Sequence, residues 1–122
     1  MAISLLFRRA VESVVRRSEA WVAPALLNSW VNFGGAYSPV GYYKDNLNIV
    51  HLRGLIKSGT ATAGTPLFTL PAGYLPAYIM IFPTPSNDLY GETQVRATGS
   101  VEIVVGSNVW ISLDGISFRA EA

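Results

Sequence analysis

At Pro24 the chain changes its hydrophobic period, and that change decides what each part can become. Ahead of it, apolar residues recur every three or four positions, at Ile3, Leu6, Phe7, Ala10, Val11, Val14 and Val15. Residues 3–19 hold no Gly or Pro, and Arg8, Arg9, Arg16, Arg17, Glu12 and Glu19 fall largely on the opposite side. This pattern predicts one amphipathic helix, with Ser4 as a cap for a late start and Pro24 enforcing a stop. So short a helix is marginal alone in water, so its stripe needs a partner. A three-stranded coil, the body of a neighbouring subunit, or a groove on another protein would serve. The Arg-rich polar face makes a membrane-surface helix the weaker option.

Beyond Pro24 the period shifts to two, and Gly, Pro, aromatic and β-branched residues dominate. Val50, Leu52 and Ile56 alternate with His51, Arg53 and Lys57, which predicts one strand through that segment. Thr93, Val95 and Ala97 form a second alternating set, Val101, Ile103 and Val105 a third, and Val109, Ile111 and Leu113 a fourth. Turn signals separate them: Asp45-Asn46, Thr98-Gly99, Gly106-Ser107 and Asp114-Gly115, the last with the signature of a two-residue hairpin. The C-terminal third reads as an antiparallel meander with one buried face. The segment Ala77–Pro83 differs, because Tyr78, Met80 and Phe82 on one face and Ala77, Ile79 and Ile81 on the other are all apolar. It is either central in a two-layer sandwich or carries a subunit contact through Ile79, Met80, Ile81 and Phe82. The expected fold is all-β, an antiparallel jelly-roll-like sandwich of about eight or nine short strands. The expected domains are a helical anchor over 1–24 and a β head over 25–122.

Composition adds oligomerisation. Of 122 residues, half are hydrophobic and only 14% charged, against roughly 25% for an ordinary soluble domain. A small domain needs more polar surface rather than less, so other copies of the chain are expected to cover much of it. The net charge of +1 gives no field to draw nucleic acid, and the four arginines ahead of residue 20 concentrate what basicity there is. No apolar run approaches the ~20 residues of a membrane span. The Ile3–Phe7 stretch is too short for a signal core and has its charges on the wrong side. The absence of cysteine excludes disulfides and thiolate metal sites.

Catalytic chemistry finds little footing. His51, the single histidine, sits beside Arg53 without a nucleophile signature. Asp45, Asp88, Glu92, Glu102 and Asp114 could supply a carboxylate pair, but nothing in the sequence makes two converge, and Asp45 and Asp114 are accounted for as turn residues. Lys57-Ser-Gly-Thr-Ala-Thr-Ala-Gly-Thr65 has the glycines of a phosphate loop without its lysine or following helix, so a flexible hairpin loop is expected. No cofactor and no metal site are expected. The aromatics are the remaining signal: Trp30, Phe33, Tyr37, Tyr42 and Tyr43 fall within fourteen residues. Exposed, such rings stack on sugars or anchor an interface; buried, they are ordinary core.

Four segments occur in an order that resembles the C-terminal head domains of phage tail and minor structural proteins. They are Trp30-Val-Asn-Phe-Gly-Gly-Ala-Tyr-Ser-Pro-Val-Gly-Tyr-Tyr-Lys-Asp45, Val50-His-Leu-Arg-Gly-Leu-Ile-Lys57, Phe68-Thr-Leu-Pro-Ala-Gly-Tyr-Leu-Pro76 and Trp110-Ile-Ser-Leu-Asp-Gly-Ile-Ser-Phe-Arg119. The resemblance implies a compact trimeric β-domain at a fibre tip or particle surface. Two departures stand out. Family members usually end a much longer chain, and Leu75 stands where an arginine often precedes the second proline. The resemblance implies a tail receptor-binding head holding a host saccharide, while the short chain, the absence of a shaft and the separate N-terminal helix point to a capsid decoration protein anchored by its N-terminal segment. Either is a non-enzymatic homotrimer on the virion surface, attached to other virion proteins, with no nucleic-acid or membrane partner. On physics alone, Leu70–Pro76 is a rigid bend in which Gly73 takes positive φ and Tyr74 covers the corner with its hydroxyl bonded.

Overall fold

A computed structural model describes residues 19–121. Apart from Glu19, the expected helix over 3–19, with its anchor residues Ile3, Leu6, Phe7, Ala10, Val11 and Val14, lies outside the described residues. The described chain forms ten short strands: β1 (Val31–Asn32), β2 (Gly41–Lys44), β3 (Ile49–Arg53), β4 (Leu55–Lys57), β5 (Thr65–Thr69), β6 (Met80–Pro83), β7 (Glu92–Val95), β8 (Ser100–Val105), β9 (Ile111–Ser112) and β10 (Ser117–Arg119). All ladders are antiparallel, in three sheets ordered β10-β3-β2, β1-β4-β9 and β5-β8-β7-β6. The all-β expectation holds, with the strands shorter and slightly more numerous than the alternation suggested.

One core serves all three sheets. Val50 and Leu52 reach it from β3, Ile56 and Ile111 from β4 and β9, and Phe68, Val95 and Val101 from the four-stranded sheet. Phe82 also leans on Phe118, 6.4 Å between ring centroids, joining the four-stranded sheet to β10.

Several expectations give way to bends. The single strand through residues 50–57 is two strands in two sheets, because the chain turns a corner at Gly54, where φ is +124°. A Cβ at Gly54 would overlap the Val40 backbone, so glycine permits both the conformation and the close approach. Asp114-Gly115 is likewise no hairpin: β9 and β10, on either side of it, belong to different sheets. Only β6, β7 and β8 form a meander. Within it a bulge pairs Glu92 with Val105 but Thr93 with Ile103. Val105 therefore lies exposed instead of completing the buried row of Val101 and Ile103. Val109 and Ala97, expected to point inward, are exposed in the connecting turns.

The loop after β4 is neither a hairpin nor loose. It joins two sheets and packs under Trp30, so closely that a Cβ on Gly59 would overlap the indole. The Trp30 Nε1–H donates to the Thr60 carbonyl at 3.1 Å. Of Ala77–Pro83, only Met80–Pro83 is strand, and β6 is the outer strand of its sheet, not a central one. Tyr78 is 78% and Ile81 58% exposed, so this edge presents apolar side chains outward. Finally, the last residues assigned to the anchor lie against the β-body. The Val22 and Tyr42 amides donate to each other's carbonyls at 2.8 and 3.0 Å, extending the β2 edge ahead of Pro24.

Candidate functional site

Two clefts open on the two sides of the Gly54 corner. The corner is pinned by the turn after β9: the Gly54 amide donates to Asp114 Oδ1 at 2.7 Å, and the Leu113 amide donates to the Gly54 carbonyl at 2.8 Å. The Ser38 hydroxyl adds a third bond, to the same Asp114 oxygen, at 3.2 Å. Leu55, Ser112 and Asp114 thus face one cleft, while Arg53, Gly115 and Ile116 face the other. The motif residues that suggested a hairpin instead build a partition.

The first cleft, about 410 Å³, is walled by Phe33, Tyr37, Trp110, Leu55 and Pro85, with Asp88, Ser112 and Asp114 as polar groups. Phe33 and Tyr37 meet edge to face at 5.1 Å, and Lys57 Nζ lies 4.8 Å from the Phe33 ring centre. Tyr37, 57% exposed, forms its outer lip. Trp110 joins Phe33 because β1, β4 and β9 are neighbours, so residues remote in sequence share a wall. The same topology brings Asp88 and Asp114 to one cleft, a convergence that the sequence did not disclose.

The second cleft, about 300 Å³, is lined by Trp21, Tyr43, His51, Leu52, Arg53, Gly115, Ile116 and Ser117. Tyr43 and His51 stand opposite each other across β2 and β3 and stack at 4.8 Å with 18° between their planes. Trp21 stands edge-on to Tyr43 at 4.6 Å, and the Arg53 Cζ lies 4.3 Å from the Trp21 ring centre. His51 Nε2 is 2.8 Å from Asp45 Oδ2, and that hydrogen bond is the largest of the effects holding the Asp45 carboxyl below the usual range. Asp45 Oδ1 meanwhile accepts from the Leu47 and Ile49 amides at 2.9 and 3.0 Å, closing the β2–β3 turn.

Beneath this cleft, Glu19 caps the bend at Leu70–Pro76. The Tyr74 hydroxyl donates to the Glu19 carboxylate at 2.7 and 2.8 Å, and the Lys44 amide donates to Glu19 Oε2 at 3.0 Å. The hydrogen bond to Glu19, ahead of burial, pushes the Tyr74 phenol up to about 12. Gly73 has φ +91°, and the Tyr74 amide donates to the Pro71 carbonyl at 3.1 Å, so the expected bend is present.

The aromatic group of the sequence divides accordingly. Trp30 (2% exposed) and Tyr42 (8%) are core; Phe33 and Tyr37 wall the first cleft and Tyr43 the second. Trp21, Arg53 and Trp110 escaped notice as binding residues because their partners come from distant strands or from the segment assigned to the anchor. Of the other carboxylates, Glu102 meets Arg96 at 3.4 Å and Ser100 at 2.8 Å, and Glu92 accepts from the Tyr90 hydroxyl at 3.3 Å. Among the described residues no three His, Asp or Glu side chains converge as metal ligands would.

The deciding observation is the fold as a whole. This chain has the fold of a phage receptor-binding protein. Its neighbour is the receptor binding protein gp15 of Listeria phage PSA, at a TM-score of 0.80 and 18% sequence identity, over 99% of this chain and 77% of that one. No protein-family model matches the sequence, and no curated protein does. The motifs behind the sequence resemblance are now corners of that fold: Gly54, Gly73 and Gly115 all hold positive φ, at +124°, +91° and +88°.

Proposed function

We propose that the chain is a non-enzymatic receptor-binding head on the surface of a bacteriophage particle, and that its first cleft holds a neutral saccharide of the host surface. The fold shared with gp15 carries this reading. The cleft supports it: three aromatic walls offer apolar faces to a pyranose, while Asp88 and Ser112 stand ready for its hydroxyls. Asp114 has a structural task, since one of its oxygens already accepts from the Gly54 amide and the Ser38 hydroxyl, and so it makes a poor half of a hydrolytic pair.

The head works as a homotrimer through the exposed apolar edge of Ile79, Met80 and Ile81, with Phe82 turned from that edge onto Phe118 and the core, and residues 1–18 attach it to other virion proteins. The exposed β6 edge and the low charge support the trimer. Neither nucleic acid nor membrane is a partner in this reading.

Purified whole chain, added to host cells ahead of phage, should block adsorption, and light scattering of the same preparation should give three chains per particle. Tyr37→Ala and Trp110→Ala should each lose about tenfold or more in blocking, the scale of a removed stacking anchor. Full adsorption in the presence of saturating protein would overturn the receptor-binding reading. Immunogold labelling over the capsid shell rather than the tail would turn it into the decoration protein that the sequence also allowed.

A further inference from the structure

We infer that the cleft between Trp21, Tyr43, His51 and Arg53 is a second binding site, one that takes the carboxylate of an acidic sugar on the Arg53 guanidinium. The inference rests on this cleft alone, and the receptor-binding reading rests on the fold and on the first cleft.

Arg53 is fixed before any ligand arrives. Its guanidinium lies over the Trp21 ring, and its Nε is packed against β2 so closely that a Cβ on Gly41 would stand 3.4 Å away. That Nε is buried against β2 and has no hydrogen-bond partner among the described residues, so the terminal nitrogens are the part of the guanidinium that a ligand in the cleft can meet. Neither the His51–Asp45 contact nor the Arg96–Glu102 ion pair of the described residues includes Arg53. A cation held in one orientation without a carboxylate of its own is preorganised, so a ligand need not immobilise a flexible side chain.

The charge balance of the cleft selects the ligand. His51 is committed through Nε2 to Asp45, and its ring serves as part of a stacked wall with Tyr43. Arg53 is then the one unpaired cation among the cleft residues, which suits one negative charge. A carboxylate presents two coplanar oxygens to the planar guanidinium fork and can be bound bidentately. A phosphate dianion would bring a second charge with only Arg53 to meet it and with Asp45 behind His51. Trp21 and Tyr43, set at 82° to each other, bring apolar ring surface to the cleft beside the guanidinium, and Ser117 lines it with a hydroxyl. About 300 Å³ stands at the small end of ligand pockets and suits a single residue rather than a long chain.

The test is a titration of the ¹⁵N-labelled whole chain with glucuronate, glucose and inorganic phosphate, followed by NMR. Glucuronate should shift the Trp21 indole and the amides of Tyr43, His51 and Arg53 saturably, and glucose should leave them in place. Arg53→Gln should weaken glucuronate binding about tenfold or more, as expected for a lost charge-assisted bond. Arg53→Lys, which keeps the charge and loses the fork, should weaken it about threefold or more, and it serves as the readout if the glutamine variant does not fold. Absence of glucuronate shifts, equal shifts from glucose, tighter binding of phosphate, or unchanged affinity in a folded Arg53 variant would each overturn the inference. The first cleft is tested separately, through the effect of Tyr37→Ala and Trp110→Ala on phage adsorption, and its failure there would leave the glucuronate titration unchanged.

Discussion

The two clefts share a wall and differ in almost everything else. On the Leu55 side of Gly54 the polar groups are Asp88, Ser112 and Asp114, and a cation, Lys57, lies over the Phe33 ring. On the Arg53 side the charge is a half-buried guanidinium against Trp21, with the Asp45 carboxylate tied to His51 and the Glu19 carboxylate tied to Tyr74 and the Lys44 amide. Gly54 alone separates Arg53 from Leu55, and the two serve opposite surfaces in different sheets. Neither chemistry could arise if β3 ran on straight into β4, because alternation would then set residues 53, 55 and 57 on one face. The bend at Gly54 is what makes two sites from one run of chain.

The sharpest way to break the comparison is therefore Gly54→Ala. The added Cβ meets the Val40 backbone and sits on a residue with φ +124°, so steric overlap and backbone strain combine. A loss of about 3 kcal/mol or more is expected in a denaturant melt, with both clefts disturbed together. Gly73→Ala is the control. Gly73 has φ +91° but only Lys44 Nζ near its Cβ position, at 3.8 Å, so strain alone should cost about 1–2 kcal/mol. Equal losses in the two variants would mean that the corner is not specially crowded.

Asp114→Ala should do less and should separate the clefts. It takes the acceptor from the buried Gly54 amide, a deficit of about 1–3 kcal/mol, and removes a polar group from the first cleft only. Blocking of phage adsorption should fall while the Trp21 and Tyr43 resonances keep their positions. If those resonances moved as far as the Phe33 and Tyr37 signals, the partition would be a poor description of this turn.

These two positions also show how far the sequence could be read. Asp114-Gly115 was legible as a turn, and Gly115 does hold positive φ, but a dipeptide says nothing about whether the strands beside it pair. Local signals fixed the turns at Asp45 and Gly73, because there the bonds close within a few residues. Alternation found the inward residues of β3, β7 and most of β8, and failed at Val105, where a bulge cannot be seen without the partner strand. The clefts were least legible. Each is assembled from separate strands, Phe33 with Trp110 and Trp21 with Arg53, and no spacing rule links residues brought together only by sheet order.

The smallest effect concerns the roof of the second cleft. Trp21 belongs to a short segment held at both ends, by Val22 against Tyr42 and by Glu19 against Tyr74 and the Lys44 amide. Folding keeps the Tyr74 phenol protonated, since its pKa stands at about 12 in the folded chain against about 10 for a free tyrosine. A group raised in this way contributes its full stability below pH 10 and loses it as the pH climbs through 12. Ultraviolet titration of the wild type against Tyr74→Phe should accordingly give a difference curve of a phenol ionising near 12. The same variant frees Glu19 from its hydroxyl partner, so the Trp21 indole resonance should shift or broaden while the Trp110 resonance holds. A Tyr74 that titrated near 10 would mean that Glu19 does not hold this segment, and the second cleft would then need another explanation for its fixed tryptophan.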